Sequence, residues 1–326
     1  MIKHINNVML YRRCKVWIYI FCLMTGVLCM YSSTAENKKL LIALTEQLNR
    51  QIRVISIDTS TYQQEIVYEW TPSSVLGYEH ADQYIYPSDV RLRRNPMNGT
   101  SVFLTCASGG MCAMAEYPSG KCQWEIALKP HDNPHAIELL PNGCIVIAAS
   151  TGGYIRIYPA NNTEDYVQYG FVDAHGLLWD PEMDLLWAVG KSRLSAFEFT
   201  GTQESPQLTE RTDLRKKLPI ANGHDVYAVY GESGRLWVVA SAPFQYDKKT
   251  GEWIKDYPGW EDLLKTETKS CSSMDGFCIQ TIADGTWQSW DTAVLHIYDP
   301  VADTYAQCQL SDAAVYRARV WNEEYQ

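Results

Sequence analysis

Asn133-Pro134-His135-Ala136, Asp173-Ala174-His175-Gly176 and Asn222-Gly223-His224-Asp225 are near-copies of one short phrase. The histidines are 40 and then 49 residues apart. Each phrase opens a strand-like stretch, followed by a turn rich in Gly, Asn, Asp or Pro and a second apolar strand carrying Ala with Ser or Gly. Self-similarity at roughly 40–50 residues marks a repeated supersecondary unit, and the four-stranded blade of a β-propeller has that period. Three phrases at equivalent places in consecutive units would put three imidazoles around one axis.

Working outward from these phrases, the chain divides into six units. The second strands align as Leu40–Thr45, Val102–Ser108, Ile145–Ser150, Leu185–Gly190 and Leu236–Ser241. Most are continuous apolar runs, as expected of strands buried on both faces. Third strands follow at Ile52–Ile57, Met111–Tyr117, Tyr154–Tyr158, Leu194–Phe199, Phe244–Tyr246 and, in the last unit, Ala293–Tyr298. Fourth strands are weaker, at Gln64–Trp70, Cys122–Leu128 and Tyr166–Phe171. The inner strands are His135–Leu140, His175–Trp179 and His224–Val229, joined by Val90–Arg94 and a Ser273–Ile279 segment. The first unit lacks an inner strand, whereas Val315–Trp321 is left over at the other end. A C-terminal strand that completes the N-terminal blade removes the open sheet edge. The expected fold is therefore all-β, a six-bladed propeller, with seven blades as the fallback. Asp247 to Lys269 is the main insertion, read either as a partial lid or as a lengthened blade hairpin.

The N-terminus reads as a targeting segment. Lys3, Arg12, Arg13 and Lys15 precede an apolar run from Val16 to Tyr31, and Ser33-Thr34-Ala35 offers small residues for cleavage after Ala35. The domain plan is a signal peptide over residues 1–35 and one propeller over 36–326, exported to the periplasm or the exterior. The run is shorter than the ~20 residues of a spanning helix, so no membrane span is expected in the mature chain; an uncleaved tether stays open. Loss of Cys14, Cys22 and Cys29 with that segment leaves Cys106, Cys112, Cys122, Cys144, Cys271, Cys278 and Cys308. An odd count at irregular spacing is no disulfide framework, although Cys271 and Cys278 could pair across a turn. With a formal charge of −10, the chain presents a repulsive average field to a polyanion, which argues against nucleic acid.

Asn133-Pro134-His135 with Glu138-Leu139-Leu140-Pro141-Asn142-Gly143, then Asp173-Ala174-His175-Gly176 and Gly223-His224-Asp225, resemble an uncharacterised family of exported bacterial six-bladed propellers, domain of unknown function 6528. The resemblance spans the mature chain and implies the fold but no activity. More distantly, a histidine-lined axis is similar to that of propeller polysaccharide lyases and glycosidases, some of which hold a divalent metal.

His135, His175 and His224 are the candidate catalytic residues, with Lys269 as a cation near the same mouth. Neutral imidazole ligates divalent metals, so a metal held by these three histidines is one expectation. A metal-free base is another, with Asp225, Asp173 and Glu138 as the nearest orienting carboxylates. A purely structural role, in which the histidines bond to neighbouring backbone, is the third. Asp89, Arg91, Asp225 and Arg317 are candidate substrate contacts, because His, Lys and Arg together suit a uronate or another anionic sugar. Trp290 beside Asp291 is a candidate sugar platform, while Trp287 is expected to pack between blades. The functional expectations are a glycan-active lyase or hydrolase for an acidic or deoxy-sugar linkage, or a non-catalytic propeller that binds a carbohydrate, another small molecule or a protein.

Overall fold

The fold follows from six strand quartets, each too apolar on both faces to stand alone. The computed structural model describes residues 39–254, 256–300 and 302–326. The expected signal segment and its three cysteines lie outside the described residues, as does Lys255 of the insertion. Six antiparallel sheets are present, each with four strands in radial order, the fourth blade adding a short extra strand at Lys216–Lys217. The inner strands are Pro87–Arg94, Pro134–Leu139, Gly176–Asp180, Gly223–Ala228 and Thr268–Met274 in the second to sixth blades. Val315–Val320 supplies the inner strand of the first blade by pairing antiparallel with Lys39–Glu46.

Closure of the ring is therefore the expected one. The buried Glu46 carboxylate holds this seam, accepting the backbone N–H of Ala314 at 3.1 Å and those of Leu48 and Asn49 at 2.8 and 2.9 Å. Apolar clusters fill the interfaces between consecutive blades. Burial of each Leu, Ile, Val or Phe side chain in such a cluster contributes about 1.5–3 kcal/mol. Gly176 marks how close two blades approach: a Cβ there would lie 2.7 Å from Val226 N and 2.8 Å from Val189 Cγ1.

One local expectation is corrected, and one open alternative is decided in favour of the lengthened blade hairpin. Ser273–Ile279 is not one strand, because Asp275 and Gly276 take φ values of 53° and 86° and turn the chain between Thr268–Met274 and Phe277–Ile282. Consecutive positive φ at an Asp-Gly pair is the tight hairpin turn that matches strand twist. The insertion forms the outer strand Glu252–Ile254 and the short helix Trp260–Leu263. Its Tyr257 and wholly buried Leu263 pack with Trp237 and Tyr298 between the fifth and sixth blades, so this part lies beside the blades. None of its described residues before Lys269 lines the cavity at the histidine mouth.

Candidate functional site at the histidine mouth

Five of the six inner strands begin with the same backbone device, a β-bulge. In these the register shifts by one residue at the strand start, at Tyr316, Ser88, His135, His224 and Lys269. His175 holds the matching place in the fourth blade, directly before Gly176, and donates its N–H to Val189 O at 2.9 Å. A β-bulge leaves one residue unpaired and re-aims its side chain. Asn133, Asp173 and Asn222, two residues earlier, take φ of 56°, 56° and 70°. Asn and Asp tolerate that left-handed conformation, which is why the repeated phrase begins with them. Tyr86 and Glu267 hold the same place with φ of 56° and 64°, at a cost of order 1–3 kcal/mol each.

Four of the five bulge residues, Tyr316, His135, His224 and Lys269, line one cavity of about 410 Å³ together with His175. The fifth, Ser88, is buried and turns away to donate to Pro134 O at 2.6 Å. Its small side chain leaves that sector to Tyr86, Ser108, Gln47 and Trp290, which complete the wall together with Asn133 and Pro130. The three imidazoles stand edge to face, with ring centroids 4.5 Å apart for His135–His175 and 5.1 Å for His175–His224. They share one mouth, as the repeat predicts.

Protonation follows from the partners. His135 Nδ1 lies 3.1 Å from Asn133 O, and His175 Nδ1 lies 3.0 Å from Asp173 O and 3.2 Å from Asp173 Oδ1. These oxygens only accept, so each Nδ1 carries a hydrogen. His224 Nε2 takes the Lys269 ammonium at 3.5 Å. Burial, reinforced by His175 and Arg317, holds His135 well below the ordinary imidazole range. Burial, then His175, Lys269 and Arg317, do the same for His224. Burial also pushes the Tyr316 phenol up to about 12. The cavity thus offers neutral acceptors, one neutral phenol and one ammonium.

Beneath the cavity the axis is filled with charge. The wholly buried Arg317 guanidinium donates to the main-chain carbonyls of His135, His175 and His224. One side chain from the closing strand therefore holds all three histidine segments. Arg319 forms a two-pronged pair with Asp225 (2.6 and 2.8 Å) and reaches Asp89 at 2.9 Å. Arg91 bonds Asp89 at 2.9 Å and Glu138 at 2.8 Å, and Arg93 forks onto both oxygens of Glu138. Burial pushes the Asp89 carboxyl up, and Arg91, Arg319 and Arg317 more than offset it, holding it far below its ordinary range. At the opposite end, Tyr325 donates to Leu139 O at 2.7 Å and lies under the Arg93 guanidinium.

The sequence candidates thus separate into layers. His135, His175, His224, Lys269 and Trp290 meet at the cavity. Asp89, Arg91, Asp225 and Arg317 are sealed below it and are bonded mainly to one another and to main chain, so they form its support and not its lining. Asp291 is buried too, its carboxylate accepting the N–H groups of Trp287 and Gln288 at 2.9 and 3.0 Å. That turn presents Trp290, which donates to Gln47 Oε1 at 3.0 Å, and Trp287, which is 43% exposed beside Tyr86 and does not pack between blades. Gln47, Tyr86, Ser108, Asn133 and Tyr316 were not legible as site residues, because only the shared bulge and the blade closure bring them to the mouth.

Among the described residues, no group of three or more His, Cys, Asp or Glu side chains is arranged to hold a metal ion. The chemistry of the donor set agrees: Lys269 occupies one imidazole nitrogen, and Arg317 places a second cation under the same three residues. A divalent ion would meet repulsion there. The residues do not fit the metal expected from the three histidines.

Fold and site together define a six-bladed β-propeller with an aromatic-walled, histidine-lined cavity at the mouth of its axis. Residues 26–294 match the family of unknown function DUF6528, and the chain belongs to that family. No curated protein matches the chain. Among solved structures, the mitotic checkpoint complex contains a chain 12% identical, with 86% of this chain and 80% of that chain covered and a TM-score of 0.51. Dihydro-heme d1 dehydrogenase NirN in complex with DHE is 10% identical with a TM-score of 0.47, covering 82% of this chain and 53% of that one. The chain thus spans about half the length of NirN. Kuenenia stuttgartiensis hydrazine synthase is 11% identical, with 69% and 67% covered and a TM-score of 0.46. At 12% identity the first of these likenesses is one of fold alone. No helix among the described residues is long and apolar enough to cross a membrane.

Proposed function

We propose that the protein binds a carboxylated sugar, a uronic acid residue of a glycan, in the cavity at the histidine mouth. The observation that carries this reading is the pairing of neutral imidazole acceptors with one ammonium in a single aromatic-walled space. Sugar hydroxyls donate to the Nε2 atoms of His135 and His175, and the carboxylate accepts from Lys269. Trp290 and Tyr86 offer faces to the apolar side of a pyranose. The volume of about 410 Å³ falls in the range of roughly 300–1,000 Å³ usual for small-molecule sites. Saturable change in tryptophan fluorescence on adding glucuronate or galacturonate tests this, and Lys269→Met should abolish it. An unchanged spectrum up to tens of millimolar for every uronate tried would end the proposal.

One observation favours a catalytic version. The Asp173 carboxylate lies 3.2 Å from His175 Nδ1, an orienting group behind a base whose Nε2 faces the cavity. In an elimination, His175 takes the proton next to the carboxylate, Lys269 stabilises the developing negative charge, a C=C bond forms as the glycosidic C–O bond breaks, and the leaving oxygen takes its proton from the neutral Tyr316 phenol. Polyuronates incubated with the protein should then gain the ultraviolet absorbance of that product, and His175→Ala should lose it. A hydrolase with two flanking carboxylates has no such support, since among the described residues no Asp or Glu lines the cavity. Export belongs to the same proposal; sequencing the secreted protein should find Glu36 first, and an intact Met1 terminus would contradict it.

A further inference from the structure

The sixth blade holds a pair of thiols that neither the site nor the ligand reading uses. Its first hairpin turns at Asp275-Gly276, setting Cys271 opposite Gln280 and Cys278 opposite Ser273. The two cysteines therefore lie on the same face, on one diagonal of the ladder, and strand twist brings one of the two diagonals together. Their Sγ atoms are 3.2 Å apart, and both are buried thiols against Trp237, Tyr257 and Tyr298. Cys271 is two residues from Lys269, on the strand that aims this ammonium at the cavity.

We propose that Cys271 and Cys278 form a disulfide when the chain folds in an oxidising compartment, and that this bridge pins the strand carrying Lys269. The oxidant is a disulfide of the glutathione class or a dithiol oxidase. One cysteine thiolate attacks the oxidant's disulfide, forming a mixed disulfide and releasing one thiolate. The second cysteine then attacks the protein sulfur of that mixed bond, the intramolecular S–S bond forms, and the second oxidant thiol leaves. The two cysteine protons end on the two released thiols, so two electrons pass from the protein to the oxidant. Burial, then Cys278, push the Cys271 thiol well above its ordinary value. Exchange is therefore fast only while the hairpin is open, during folding.

Met274 stands between the two cysteines and makes the test simple. The full chain is refolded in a buffer of oxidised and reduced glutathione, alkylated, and cleaved at methionine with cyanogen bromide. The expected result is that the fragments on either side of Met274 stay joined until a reductant is added, with neither Cys271 nor Cys278 alkylated. Separate fragments alkylated at both positions overturn the proposal, and so does a bridge that joins either cysteine to Cys106, Cys112 or Cys308. The melting midpoint of the wild-type protein should drop on adding reductant, whereas that of Cys278→Ser should not move. If the variant fails to fold, the wild-type fragment pattern decides alone.

Discussion

Replacing Arg317 by methionine removes the one side chain that touches all three histidine segments. The guanidinium is wholly buried and donates to the carbonyls of His135, His175 and His224. Asp89, 3.5 Å from Arg317 Nη1, keeps Arg91 and Arg319 as partners, so it is not left as a lone buried charge. The loss therefore falls mainly on the three carbonyls it serves. At about 1–2 kcal/mol for each unsatisfied group, destabilisation of about 3–6 kcal/mol is expected. That is a large part of the roughly 5–15 kcal/mol by which domains are stable. Equilibrium urea unfolding measures it, provided the slope is unchanged between wild type and variant. Arg317→Lys should recover only part of the loss, because one ammonium cannot reproduce a planar fork across three blades. A loss below about 1 kcal/mol for Arg317→Met would refute the view that this residue holds the mouth together.

Two further perturbations test the same layer. His135 and His224 are held neutral in the folded state while their unfolded forms titrate near pH 6.5, so the unfolded chain binds more protons below that pH. Stability should thus fall as pH drops from about 7.5 to 5.5, by up to about 1.4 kcal/mol per pH unit for each ring. The depressed carboxyls of Asp89 and Glu138 add their own loss only nearer pH 4, so this window reports the histidines, with His296, which burial also lowers, contributing the part that remains when His135 and His224 are replaced. Urea midpoints across it should flatten in a His135→Gln, His224→Gln double variant, and an equally steep wild-type and variant slope would contradict the assignment. Gly176→Ala should cost about 1–3 kcal/mol in the same assay, since the added Cβ meets Val226 N at 2.7 Å across the interface of two blades. A neutral result there would mean that the fourth and fifth blades are free to part.

The architecture was readable because propeller repeats write themselves in period and strand composition. Val315–Trp321 at one end and the missing inner strand at the other announced the closure that Val315–Val320 makes with Lys39–Glu46. The three histidines and Lys269 were readable as neighbours for the same reason, since equal places in equal units converge. Tyr316 and Ser88 share that place but not that residue type, and a bulge is a property of pairing between strands that no single strand displays. Asp89, Arg91, Asp225 and Arg317 were misplaced by one layer. A charged residue on an inner strand can face a cavity or a counter-charge, and the partners that decide it come from blades far apart in sequence. Trp287 went the other way, because the Asp291 carboxylate bonds its backbone and holds its ring out into solvent.

Titration calorimetry of glucuronate against glucose, on wild type and Lys269→Met, tests the central claim most directly. Lys269 is 7% exposed and holds the ammonium at the cavity wall. The predicted result is saturable binding of glucuronate to wild type, at least tenfold weaker binding of glucose, and loss of that preference in Lys269→Met, with a charge-assisted bond of ~1.5–3 kcal/mol accounting for the gap. Equal affinity for the two sugars, or a preference for glucuronate that survives Lys269→Met, would contradict it.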